Sequence, residues 1–199
     1  RNVHKSYLLD LQMRGIPVTP TVLARRSDPR GLAEIVSGSR WTDVVIKPAV
    51  GAGSFETHRL RADDPCCNEV FSKLCNERDV LIQPYLPSVE GHGERALVWI
   101  DGEFTHAVRK SPRFADGAES VSEALPISSA EFALGHAALR DIADRLLYAR
   151  VDVAPGFDGM PLLMELELIE PSLFLMQNPR ALQRLVEGIR RRLQSAARY

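Results

Sequence analysis

The stretch that most constrains this chain runs from Arg150 to Pro171, reading RVDVAPGFDGMPLLMELELIEP. Two alternating apolar runs flank Asp158-Gly159, a dipeptide suited to the positive φ angles of a two-residue hairpin turn. A hairpin closed there sets Asp152 opposite Glu165 and Arg150 opposite Glu167. Strand alternation then puts all four on one face and turns Val151, Val153, Met164, Leu166 and Leu168 into a core. Carboxylates crowded together repel unless a cation sits among them. With no His or Cys in the segment, the oxygen donors Asp152, Glu165 and Glu167 favour Mg2+ or Mn2+ over zinc. Magnesium completes its shell with water and phosphate, which implies a nucleotide nearby. The plainer alternative is an edge hairpin with solvated acids, in which Arg150 simply pairs with Glu167.

Length and composition allow one domain or two small lobes with a real core, since 45% of the 199 residues are hydrophobic. A net charge of −1 argues against a nucleic-acid partner, and Arg190-Arg191-Arg192 reads as the solvated face of a terminal helix. With no run of about 18 apolar residues and no signal-peptide pattern, a cytoplasmic protein without a membrane partner is expected. Cys66, Cys67 and Cys75 match no zinc or redox spacing and read as reduced thiols.

Taken in order, residues 4–14 predict a helix stopped by Gly15, with Lys5 in its first turn. A second helix is expected over 29–37 with Asp28 as its cap. Asp43-Val44-Val45-Ile46-Lys47 reads as a strand too apolar to be half exposed, and it ends on a lysine followed by a loop containing Gly51, Gly53 and Ser54. That order is neither a Walker A loop nor a dinucleotide fingerprint. With a returning strand over 55–60, the loop reads as a flap able to lay backbone N–H groups over phosphates above Lys47. After a helix over 65–78, residues 79–87 form a strand entering a proline-punctuated connector. There the extended backbone presents N–H and C=O groups able to read an adenine edge, and Glu90 just beyond it a carboxylate for ribose; a plain linker fits equally well. Residues 94–100 and 103–110 pair across Asp101-Gly102, residues 111–126 read as a mobile loop, and helices are expected over 129–147 and 178–197.

The combination of Lys5, Lys47 with its glycine flap, Gln83-Pro84-Tyr85-Leu86, Glu90, Lys110, Arg150-Val151-Asp152 and Glu165-Leu166-Glu167 resembles the ATP-grasp superfamily. Within it, the wording after Met164 is most similar to the subgroup containing the O-ureido-serine cyclo-ligase of cycloserine biosynthesis. The resemblance implies an α+β fold of two lobes, 1–86 and 87–199, with ATP between them and two magnesium ions on Asp152, Glu165 and Glu167. It implies that Lys5 and Lys47 hold the phosphates, that Gln83 and Leu86 flank adenine, that Glu90 holds ribose, that Lys110 also faces the nucleotide, and that Arg150 steadies the reacting phosphate or acyl group. Arg95 and Arg109 are candidates for gripping a substrate carboxylate or phosphate. The activity implied is carboxylate–amine ligation, inter- or intramolecular, through an acyl phosphate on amino-acid-like small molecules. The alternatives are a non-catalytic ATP-binding module and a kinase-like phosphoryl transferase. A homodimer is left open. Many relatives carry Asn where this chain has Glu167, and a further domain ahead of the grasp is expected to lie outside this chain.

Overall fold

The computed structural model describes residues 2–51, 55–111 and 120–197, in two compact units, Arg1–Tyr85 and Leu86–Tyr199. The division falls one residue before the boundary expected from the connector.

The first unit is a four-stranded antiparallel sheet, β1 (Val22–Ala24), β2 (Asp43–Pro48), β3 (His58–Arg61) and β4 (Val80–Pro84), in the order β1-β4-β2-β3. Three helices accompany it: α1 (Tyr7–Met13), α2 (Leu32–Ile35) and α3 (Pro65–Glu77). α3 starts where Asp64 accepts from the Cys66 N–H at 2.8 Å and Pro65 takes the first position, where its missing N–H costs nothing. Val44, Ile46, Val80, Ile82, Phe71 and Leu74 fuse into its core.

Several boundaries differ from the sequence reading. α1 starts only at Tyr7, leaving Lys5 in the preceding turn, where its N–H donates to the Ala49 carbonyl at 2.7 Å. α2 is a single turn, because Asp28 spends its carboxylate on the backbone and guanidinium of Arg30 instead of capping. β2 is half exposed after all: Val44, Ile46 and Pro48 are buried, while Asp43, Val45 and Lys47 are only partly covered.

The second unit holds another four-stranded antiparallel sheet: β5 (Glu94–Ile100), β6 (Glu103–Lys110), β7 (Tyr148–Pro155) and β8 (Pro161–Glu167), ordered β6-β5-β7-β8. One short helix, α4 (Ser88–Gly91), precedes it, and α5 (Ser129–Leu139) and α6 (Pro179–Ala196) pack on it. α5 opens with a capping box, in which Ser128 and Glu131 satisfy each other's backbone N–H groups. It ends well before Leu147, whose carbonyl is already taken by the Asp101 N–H at 2.8 Å as the chain turns into β7. Along one face of the sheet, Trp99, Phe104, Phe132 and His136 pack edge-on or tilted with centroids 4.3–5.9 Å apart. Gly135 permits that approach, since a Cβ there would lie 2.4 Å from Phe104 Cζ. On the other face Val98 and Ile100 pack with Ala181 and Leu185 of α6 and with Leu173, Phe174 and Leu175.

Residues 120–126, read from sequence as part of a mobile loop, lie along β6: the Leu125 N–H donates to the Ala107 carbonyl at 2.8 Å and the Ser122 N–H to the Arg109 carbonyl at 3.0 Å. The rest of that stretch, 112–119, lies outside the described residues. Among the described residues no helix is long and apolar enough to cross a membrane.

Candidate active site

Two bulged hairpins build the candidate site. β5 and β6 meet at Asp101-Gly102, both at positive φ (46° and 99°), as the two-residue turn requires. The ladder then slips by one at Thr105, which stands between the pairs Trp99↔Phe104 and Val98↔His106. The slip carries Lys110 opposite Glu94, whereas an unbroken ladder would have offered Arg109.

β7 and β8 do not close through a two-residue turn. Five residues, 156–160, form the loop, with Gly156 N–H donating to the Met160 carbonyl at 2.7 Å and only Gly159 of the central pair at positive φ. A bulge at Met164 then restores the expected pairing, Asp152↔Glu165 and Arg150↔Glu167. Its consequence is a change of core residue. Leu163, opposite Val153, is fully buried, while Met164 is the extra residue and is only partly covered. Leu168 lies beyond the end of β8.

Alternation along these strands brings Glu94, Lys110, Arg150, Asp152, Glu165 and Glu167 onto one face. Asp152 is 1% exposed and grips Arg150 in a fork, Oδ1 to Nε and Oδ2 to Nη2, both 2.8 Å. Lys110 Nζ lies 2.7 Å from Asp152 Oδ2 and 2.7 Å from Glu94 Oε1. Arg150 also pairs with Glu167, as the plainer reading of the hairpin expected, and its guanidinium lies 5.7 Å from the Phe174 ring centroid.

The electrostatics follow from the crowding. Burial pushes the Glu94 carboxyl up to about 7, with the Asp152 charge adding to it and Lys110 opposing. Burial would raise Asp152 as well, but Lys110 and Arg150 together hold it well below the usual carboxylate range. Glu167 is raised by burial, Arg150 only partly countering that while Asp152 and Glu165 add to it. Both cations are held firmly charged: burial disfavours their charge, and the carboxylates around them more than reverse that.

The expected convergence of Asp152, Glu165 and Glu167 on one point is not found. Among the described residues no three acid, His or Cys side chains form a ready ligand group. The reason is that Arg150 and Lys110 already sit among the acids as counter-charges. The donor chemistry nevertheless suits a hard divalent cation. Glu94, Asp152, Glu165 and Glu167 offer only oxygen, and four acids face two cations.

The other candidates divide. Arg95 and Arg109 do not join the cluster: they pair with each other across β5 and β6, on the opposite face. Arg95 is bound at 2.7 Å to Glu131 of α5 and to the Pro126 carbonyl, which explains it structurally. Along a wall that includes Arg95, Glu131, His92, Val153 and Met160 runs a cavity of about 380 Å³. In the first unit, Lys47 pairs with Leu81 and Gln83 with Val45. Gln83 is buried and donates to Thr21 Oγ1 at 2.8 Å, and Tyr85 carries the Arg59 guanidinium 3.7 Å from its ring centroid. Lys5 is buried in the turn before α1. Gly51 follows β2, and Gly53 and Ser54 lie outside the described residues. In the second unit Leu86 is buried and Glu90 is exposed in α4. Glu94 was missed because only the Thr105 bulge turns it toward Lys110; an acid at the start of a strand that ends the partner strand on a lysine was the available signal.

Comparison with known proteins gives four results. Residues 16–133 match the family of the prokaryotic glutathione synthetase ATP-grasp domain. The chain is 32% identical to the cycloserine biosynthesis protein DcsG of Streptomyces lavendulae, over 95% of this chain and 69% of that protein. The glutathione synthetase of Pseudomonas putida is also 32% identical, but over 43% of this chain and 26% of its own length. Among solved structures, that of D-cycloserine synthetase DcsG superposes with a TM-score of 0.83 at 29% identity, covering 96% of this chain and 70% of that one.

Proposed function

Because the chain belongs to the ATP-grasp family and is an ATP-dependent ligase forming C–N bonds, we propose that it joins a carboxylate to an amine on an amino-acid-like small molecule through an acyl phosphate. The observation that carries this reading is the face on which Lys110 and Arg150 are held by Glu94, Asp152 and Glu167. Members of the family use ATP and Mg2+. In this chain Asp152, Glu165 and Glu167 would hold the metal, which supplies positive charge beside the phosphates. Lys5, Lys47 and Lys110 are assigned to phosphate, and Gly51, Gly53 and Ser54 to the flap over it. Gln83, Tyr85 and Leu86 are assigned to adenine, and Glu90 to ribose.

The chemistry needs little covalent help from the protein. A carboxylate oxygen attacks the γ-phosphorus and ADP departs. The amine then attacks the carbonyl carbon, and phosphate leaves carrying that oxygen. Arg150, fixed by Asp152 and Glu167 and never deprotonated, would steady the anionic centre. A cyclising reaction is favoured over a two-substrate one, because the match to the cycloserine protein spans 95% of the chain and the match to glutathione synthetase 43%.

The test is a screen of phosphate release from ATP against pooled amino-acid-like acids, with mass analysis of the product. A carboxylate labelled with heavy oxygen should deliver one labelled atom to the released phosphate, and a cyclised product should be lighter than its precursor by one water. Phosphate without label, or a stable phosphorylated product, would replace the ligase reading with simple phosphoryl transfer. Glu165→Gln combined with Glu167→Gln should abolish turnover.

A further inference from the structure

Lys110 is the shared member of the acid cluster. Its ammonium lies 2.7 Å from acids of two different strands, Glu94 on β5 and Asp152 on β7. Asp152 has both oxygens engaged, Oδ1 by Arg150 Nε and Oδ2 by Arg150 Nη2 and Lys110 Nζ. A cation that takes up Oδ2, which already accepts from both, must therefore displace one of these contacts. Arg150 is poorly suited to yield. Its planar fork is matched to the carboxylate and is also held by Glu167 and the Phe174 ring. A lysine ammonium is a compact charge with three rotatable donors, and it has Glu94 directly across the ladder as an alternative anion.

Resting on the function proposed above, we infer that Glu94 is a positioning residue: it takes over the Lys110 ammonium when Asp152 turns to a divalent cation, keeping that charge aimed at phosphate. Glu94 is suited to this by place. Its side chain, 26% exposed against 1% for Asp152, is the less covered of the two acids, and Lys110 bonds to both. A glutamine at 94 would still accept a hydrogen bond but would no longer hold the charge, leaving Asp152 as the carboxylate to which Lys110 is tied. Metal and ammonium would then compete for one oxygen.

The experiment uses the intact protein and Mn2+ alone, followed by electron paramagnetic resonance without nucleotide, together with steady-state kinetics in ATP. Glu94→Gln should weaken Mn2+ binding about tenfold, the worth of one charged hydrogen bond, and raise KM for ATP more than it lowers kcat. Glu94→Asp, which keeps the carboxylate, should recover most of both effects and serves as the readout if the glutamine variant does not fold. In a Lys110→Met background Glu94→Gln should change Mn2+ affinity no further, since its effect runs through the ammonium. Unchanged Mn2+ affinity in Glu94→Gln, or an equal loss with Lys110 already removed, overturns the inference and leaves the ligase reading standing. Wild-type protein that binds neither Mn2+ nor ATP sinks both.

Discussion

Residues 94 and 95 are neighbours in β5, yet they serve opposite faces of the same sheet and behave in opposite ways. Arg95 meets one acid, Glu131, at 2.7 Å, inside a completed capping box; burial pulls Glu131 up, but Arg95 and Ser128 outweigh it and hold the carboxyl below its ordinary value. Glu94 meets one cation, Lys110, also at 2.7 Å, but shares it with Asp152, and its carboxyl is pushed up to about 7. The shortest distance is the same in both pairs. What differs is the balance of charge around the pair. A satisfied pair anchors a helix, whereas acids in excess leave charge for something outside the chain to meet, which is the pattern that marks functional sites.

The sharpest way to break this contrast is to cut the charged face at its centre. Asp152→Ala leaves Arg150 and Lys110 without their shared buried acid and should cost about 3–5 kcal/mol in denaturant unfolding. A melt unchanged from wild type would show that the cluster is solvated and the contrast unreal. On the opposite face Leu163→Ala, at a fully buried position, should cost about 3 kcal/mol with KM for ATP unmoved per folded molecule.

The pH dependence separates the two acids by sign. Between the unfolded value of Glu94, near 4.5, and about 7, the folded protein keeps a proton that the unfolded chain has lost, so this group makes stability fall as pH rises through that window. Glu94→Gln should flatten that decline. Glu131 works the other way: its stabilisation is present above its unfolded value and fades as pH falls below it, so Glu131→Gln should flatten the acid limb instead. Identical pH profiles for the two variants would erase the distinction. The smallest effect is expected at Gly159, whose φ is 79° and where an added Cβ meets nothing within 4 Å. Gly159→Ala should cost about 1 kcal/mol, from backbone strain alone.

Much of this was legible in the sequence. β5 and β6 were bounded correctly because alternation and Asp101-Gly102 agree, and the pairing of Asp152 with Glu165 was right although the turn assumed for it was not. The loop of five residues and the Met164 bulge offset each other, a coincidence that no periodicity could reveal. Where alternation was broken by a bulge, as at Thr105 and Met164, the reading lost Glu94 and put Met164 in the core in place of Leu163. Arg95 and Lys5 were misplaced because side-chain partners far along the chain, or a late helix start, decide where such residues point.

The sequence by itself determined the antiparallel hairpins and the strands that carry the acids, since alternation and turn glycines act over a few neighbouring positions. Only the tertiary structure decided which acids share a cation. One extra residue in a strand reverses the faces of everything beyond it, and the choice between those faces is made by the packing of α5 on one side and of α6 on the other.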